Sequence, residues 1–107
     1  MASIGAMGDL LKQAQEMQSR MAKIQEELGN KTVQGSSGGG MVQVTVNGQL
    51  NITAVQIEPS VINSSEKEML EDLILAAVND GMRKARELAS TEMSKLTGGL
   101  KIPGLMP

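Results

Sequence analysis

The chain of 107 residues contains no phenylalanine, tyrosine or tryptophan, no cysteine and no histidine. Without cysteine there are no disulfides, thiol nucleophiles or thiolate metal ligands. Without histidine the usual general base near neutral pH and the commonest metal ligand are gone. Without aromatic rings a single-strand platform that stacks bases is excluded. The core must be assembled from Leu, Ile, Val, Ala and nine methionines. Each such side chain contributes about 1.5–3 kcal/mol on burial, and a core so composed favours further burial in an oligomer interface. No apolar run reaches the roughly 20 residues that a membrane-spanning helix needs. The opening MASIGAMGDLL also lacks the basic start of a signal peptide, so a cytoplasmic protein without membrane contact is expected.

Charge is balanced in sum and uneven in place. The net charge is −2, which by itself argues against a general nucleic-acid binder. From Glu58 to Met82 the chain carries −5, whereas from Arg83 to Pro107 it carries +3. A helix with acids at its start and bases toward its end would show the same order, because the macrodipole favours it.

The stretch from Ser64 to Leu96 predicts one long helix and holds most of the apolar surface. Ser65 and Glu68 have capping-box spacing, and Thr97-Gly98-Gly99 supplies a stop. At about 1.5 Å per residue such a helix is a rod of about 45 Å, longer than so small a domain can cover, and that mismatch implies a partner. Gly81 within it implies a bend or a close approach. Upstream, Met7, Leu10, Ala14, Met17, Met21, Ile24 and Leu28 alternate spacings of 3 and 4. This predicts a first helix with a narrow heptad seam, ending at Gly29-Asn30.

Between the helices, Lys31 to Gln34 predicts a short strand. Gly35 to Gly40 then reads as a mobile loop that breaks regular structure. No Lys-Ser/Thr follows this loop and it leads into a strand, so it does not fit a phosphate cradle. Met41 to Val46 alternates as a strand into an Asn47-Gly48 turn. The next strand, through Ile57, changes phase near Thr53-Ala54, which requires a bulge or a longer turn. Glu58-Pro59-Ser60 ends it, and Val61 and Ile62 are expected to tuck under the last helix as a staple. The expected fold is a single α+β domain over residues 1–107, with flexible tails at 1–7 and 100–107. A long N-terminal helix, a small three-stranded and mainly antiparallel sheet and a long C-terminal helix make it up. One subunit cannot satisfy both the seam and the sheet, so a two-fold homodimer with projecting helical arms is expected.

The runs LLKQAQEMQSRMAKIQEEL, GSSGGGMVQVTVNG, IEPS, EKEMLEDLILAAVND and LTGGLKIPG, in this order, resemble the YbaB/EbfC family of bacterial nucleoid-associated proteins. The likeness spans about Gly8 to Gly104. Departures are Val78, where members commonly carry Phe, Gly81, where Ala is common, and a lead-in without the early lysine of some members. The resemblance implies a homodimer with tweezer-like arms that binds double-stranded DNA in the cytoplasm, at the nucleoid. It implies an influence on nucleoid organisation and gene expression, and no catalysis.

With stacking excluded, DNA contact must come from Lys and Arg on phosphates, largely independent of sequence and sensitive to salt. The candidates are Lys12, Arg20 and Lys23 on the first helix and Arg83, Lys84, Arg86 and Lys95 on the last. Helix-surface pairing competes for them, since Glu16 precedes Arg20, Asp80 precedes Lys84 and Arg83 precedes Glu87, each by four residues. A rival expectation is a protein-interaction adaptor dimer whose DNA contact is weak or indirect. Glu68, Glu71 and Asp72 share a helix turn, but an exposed acidic N-terminal turn accounts for them. No metal, cofactor or small-molecule substrate is expected.

Overall fold

The structure, a computed structural model, describes residues 4–96; the expected helix stop at 97–99 and the tail at 100–107 lie outside the described residues. Helix α1 (Ile4–Asn30) leads into strands β1 (Thr32–Ser37), β2 (Val42–Asn47) and β3 (Ile52–Ile57), and helix α2 (Lys67–Leu96) closes the order. The helix α1 begins three residues ahead of the expected Met7. The sheet is antiparallel throughout, in the order β1-β2-β3.

The core follows from the period of two in β2. Val42, Val44 and Val46 are fully buried beneath α2, while Gln43 and Thr45 take the opposite, polar face. The helix meets them with Ala77, Gly81 and Ala85, one residue every four, flanked by Leu70, Leu73, Ile74 and Val78. Small side chains on this line let α2 come down onto β1. A Cβ at Gly35 would collide with the backbone of Gly81 and Ala77, so the close approach expected of Gly81 is met by a second glycine on the strand.

That contact overturns the loop expected at Gly35–Gly40. β1 runs on through Gly35, Ser36 and Ser37, because the Ser36 N–H donates to Asp80 and the Ser37 hydroxyl donates to the Leu73 carbonyl. Only Gly38–Gly40 leave the ladder, as a 3-10 turn with φ of 59°, 67° and 94°, a region that favours glycine.

Two other local expectations change. The β2–β3 connection is a four-residue turn with positive φ at Leu50 rather than at Asn47-Gly48. Asn47 Oδ1 organises it by accepting from the N–H groups of Gln49 and Asn51, both at 3.0 Å. Gly48 N–H instead donates to the carbonyls of Leu28 and Lys31, tying the turn to the end of α1. The phase change in β3 is a bulge, since Thr45 pairs with Ala54 and Val46 with Ile52, skipping Thr53. At the start of α2 the capping residue is Asn63, whose Oδ1 accepts from Ser65 N–H at 3.1 Å ahead of a 3-10 turn. Ser65 does not cap a box with Glu68. Val61 tucks under as expected, but Ile62 is exposed.

The molecule is elongated, measuring 75 × 25 × 17 Å with a radius of gyration of 20.5 Å. A compact chain of this size would have a radius near ~13 Å. Length comes from α1, which rests on the body only through its last turns, with Leu28 buried and Ile24 half-buried. Upstream, the seam residues Met7, Leu10, Met17 and Met21 are all exposed. β3 is also uncovered by α2, leaving Ile52 and Val55 in solvent together with Leu75 of α2.

Candidate nucleic-acid interface

Apart from Lys67 at the start of α2, the described basic residues fall into two groups that differ in what they touch. On α2 the first group gathers around Asp80, half-buried at the edge of β1 with its side chain 26% exposed. One carboxylate oxygen accepts from the Arg83 guanidinium at 3.0 Å, and the other from the Ser36 N–H and the Lys84 ammonium at 3.1 Å. The Ser36 N–H, then Lys84 and Arg83, hold the Asp80 carboxyl down to about 2, well below the usual range. Arg83 also reaches Glu87 at 3.0 Å, and Lys84 donates to the Gln34 carbonyl at 3.1 Å. Asp80 and Glu87 in turn raise the guanidinium of Arg83 above its ordinary value. Two cations and two carboxylates thus make a cluster with no formal net charge.

Lower on α2, Glu92 gathers Lys31 and Lys95, a cluster that keeps one net positive charge. It accepts from Lys31 at 2.9 Å and from Lys95 at 3.3 Å, and the two together lower its carboxyl. Glu92 is 12% exposed, and its pair with Lys31 fastens the start of β1 to the far end of α2. Lys31 was not among the sequence candidates, and its partner lies 61 residues away, beyond any helix-spacing rule. The expected pairs of Asp80 with Lys84 and Arg83 with Glu87 are both present.

The second group is free. Lys12, Arg20 and Lys23 stand exposed on α1, and Arg86 on α2. None of the four enters an ion pair among the described residues, and Glu16 does not engage Arg20. The α1 cations lie off the apolar seam along one flank of the helix, as their spacing requires. Arg86 borders a hollow of about 280 Å³ where α1, the β2–β3 turn and α2 meet, floored by Leu28, Leu50 and Met93. Gln49 closes its rim by donating to the Gln25 carbonyl at 2.7 Å.

Such a surface can contact phosphate oxygens through exposed ammonium and guanidinium groups. Among the described residues no cluster of acids gathers that could hold a metal ion, and no helix is long and apolar enough to cross a membrane.

Residues 4–100 match the model of the YbaB/EbfC DNA-binding family. A nucleoid-associated protein of Desulfotalea psychrophila is 55% identical over 96 residues, covering 90% of this chain and 91% of that protein. One from Pelotomaculum thermopropionicum is 50% identical over 101 residues, covering 94% and 96%. Among solved structures, that of an uncharacterized protein from Helicobacter pylori superposes with a TM-score of 0.73 at 26% identity. It covers 92% of this chain and all of that one.

Proposed function

The chain belongs to the YbaB/EbfC DNA-binding family, and from that premise we propose that it binds double-stranded DNA as a homodimer, mainly through phosphate contacts. In this reading it acts at the nucleoid, in the cytoplasm, and influences nucleoid organisation and gene expression. It is a DNA-binding family member, not an enzyme.

The observation that carries the reading is the set Lys12, Arg20, Lys23 and Arg86, exposed and in no ion pair among the described residues, whereas Arg83, Lys84 and Lys95 of α2 are paired and Lys67 stands among the acids at the start of that helix. Pairing of two copies is supported by what one chain leaves uncovered, the α1 seam and the β3 edge with Leu75. A dimer doubles the cationic set, and α1 projecting from the body supplies the arms. Basic patches one duplex turn apart, roughly 34 Å, engage successive grooves.

Charge reversal tests it. Lys12→Glu, Arg20→Glu and Lys23→Glu together are expected to weaken binding to a duplex about a hundredfold or more at 0.1 M salt, since each phosphate contact adds about 0.9 to the salt slope. Unchanged binding in a folded dimer would remove these residues from the interface. A second reading, an adaptor dimer that docks another protein, is favoured by the exposed Met and Leu of α1 and by the neutralised α2 cluster. A dimer that leaves duplex DNA unbound even at low salt would support it.

A further inference from the structure

We propose that Asp80 and Glu87 are built-in competitors of DNA phosphate, which hold Arg83 and Lys84 neutralised and so set the affinity of the duplex interface. The inference rests on the duplex-binding reading and adds the groups that limit it. Arg83 is clasped from both sides, by Asp80 Oδ1 and Glu87 Oε1, each at 3.0 Å, and Lys84 is held by Asp80 Oδ2 at 3.1 Å. The four formal charges cancel. A phosphate approaching this part of α2 must therefore displace a carboxylate rather than a mobile counter-ion.

The displacement differs from that at Lys12 or Arg86, which release only salt. Counterion release supplies most of the salt-dependent attraction between a cation and the duplex. A lysine or arginine already matched to a fixed carboxylate holds fewer counter-ions to release. Asp80 is also fixed to the sheet through the Ser36 N–H at 3.1 Å, so it cannot swing aside as a surface carboxylate would. Lys84 keeps a neutral acceptor in the Gln34 carbonyl, which positions it without cancelling its charge.

Asp80→Asn separates these effects, because an amide oxygen can still accept from Ser36 while its charge is gone. At 0.1 M salt the variant is expected to bind a duplex about five- to tenfold more tightly than the unaltered chain, with a salt slope steeper by about one to two. Glu87→Gln, at an exposed site whose carboxylate pairs with Arg83 alone among the described residues, is expected to tighten binding in the same direction by less. It decides the matter if Asp80→Asn fails to fold. The coupling is the sharper readout. Arg83→Ala with Lys84→Ala leaves Asp80 and Glu87 unmatched and is expected to weaken binding in the unaltered chain, and the tightening that Asp80→Asn brings is expected to be smaller in that background, where no cation is left to free.

Equal or weaker duplex binding by both carboxylate variants, with the unaltered protein binding normally, would overturn the inference and leave the DNA reading standing. No binding by the unaltered protein at low salt would overturn the DNA reading itself, and this inference with it.

Discussion

At the scale of the residue, Gly35 and Asp80 do the most to join α2 to the sheet. A methyl group at Gly35 meets helix backbone that cannot move without shifting α2 off β2. Gly35→Ala is expected to cost about 2–3 kcal/mol in urea unfolding, the upper part of the range for overpacking. Gly81→Ala meets a Val46 methyl at 2.8 Å and the Gly35 backbone at an ordinary contact distance of 3.4–3.5 Å, and it gains helix propensity, so it is expected to cost less. Asp80 ionises near 2 in the folded chain against an ordinary 3.8. Its charged form is therefore favoured by folding. The stabilisation is complete above pH 3.8 and is lost as pH falls through 2. Acid titration of the unfolding midpoint between pH 5 and 2 should show that fall, and Asp80→Asn should flatten it. A steeper acid limb in the variant would contradict the assignment. Two of the three helix-surface pairs of this cluster, Asp80 with Lys84 and Arg83 with Glu87, were legible in the sequence, because four-residue spacing brings side chains together on any helix. The Ser36 N–H was not, since it lies 44 residues away on a strand in what reads as glycine-rich loop.

At the scale of the element, periodicity exposed β2 and both helices, because each has one apolar face that repeats at its own period. β1 escaped beyond Gln34, since its inward positions are Val33, Gly35 and Ser37 and only the first advertises a core. Glycine there serves the helix that lands on it, a contact that no local pattern records. The heptad seam of α1 was equally plain, but the structure divides it into a docked end and a free end. Leu28 is 1% exposed and Leu10 66%. Leu28→Ala is thus expected to cost about 3 kcal/mol of stability, read by thermal or urea unfolding. Charges placed on exposed apolar side chains of the body ask a different question. Val55→Asp with Leu75→Asp alters side chains that one chain leaves 50% and 61% exposed, so helix and strand content by circular dichroism is expected to persist. Solution mass by sedimentation is expected to fall from two chains to one. A mass unmoved by the pair would place the contact between copies elsewhere.

At the scale of the whole molecule, the proposed reading has a chain with a net charge of −2 bind DNA by separating its charges rather than by their sum. Acids fill the first half of α2, carboxylates pair with Arg83, Lys84 and Lys95, and the free cations of α1 lie along a helix that extends from the body. Fold class and family were legible from the sequence; the pairing of Lys31 with Glu92 and the anchoring of Asp80 by the Ser36 N–H were not, because each joins α2 to residues far away in the chain. The most direct test is a titration of a short duplex across a salt series, on protein whose mass in solution is measured alongside. The account predicts two chains per particle and an affinity that falls linearly with log salt. It also predicts that this dependence is nearly the same for unrelated duplex sequences and is flattened by reversing Lys12, Arg20 and Lys23. Binding that is indifferent to salt, or is absent from about 20 mM upward, would contradict it.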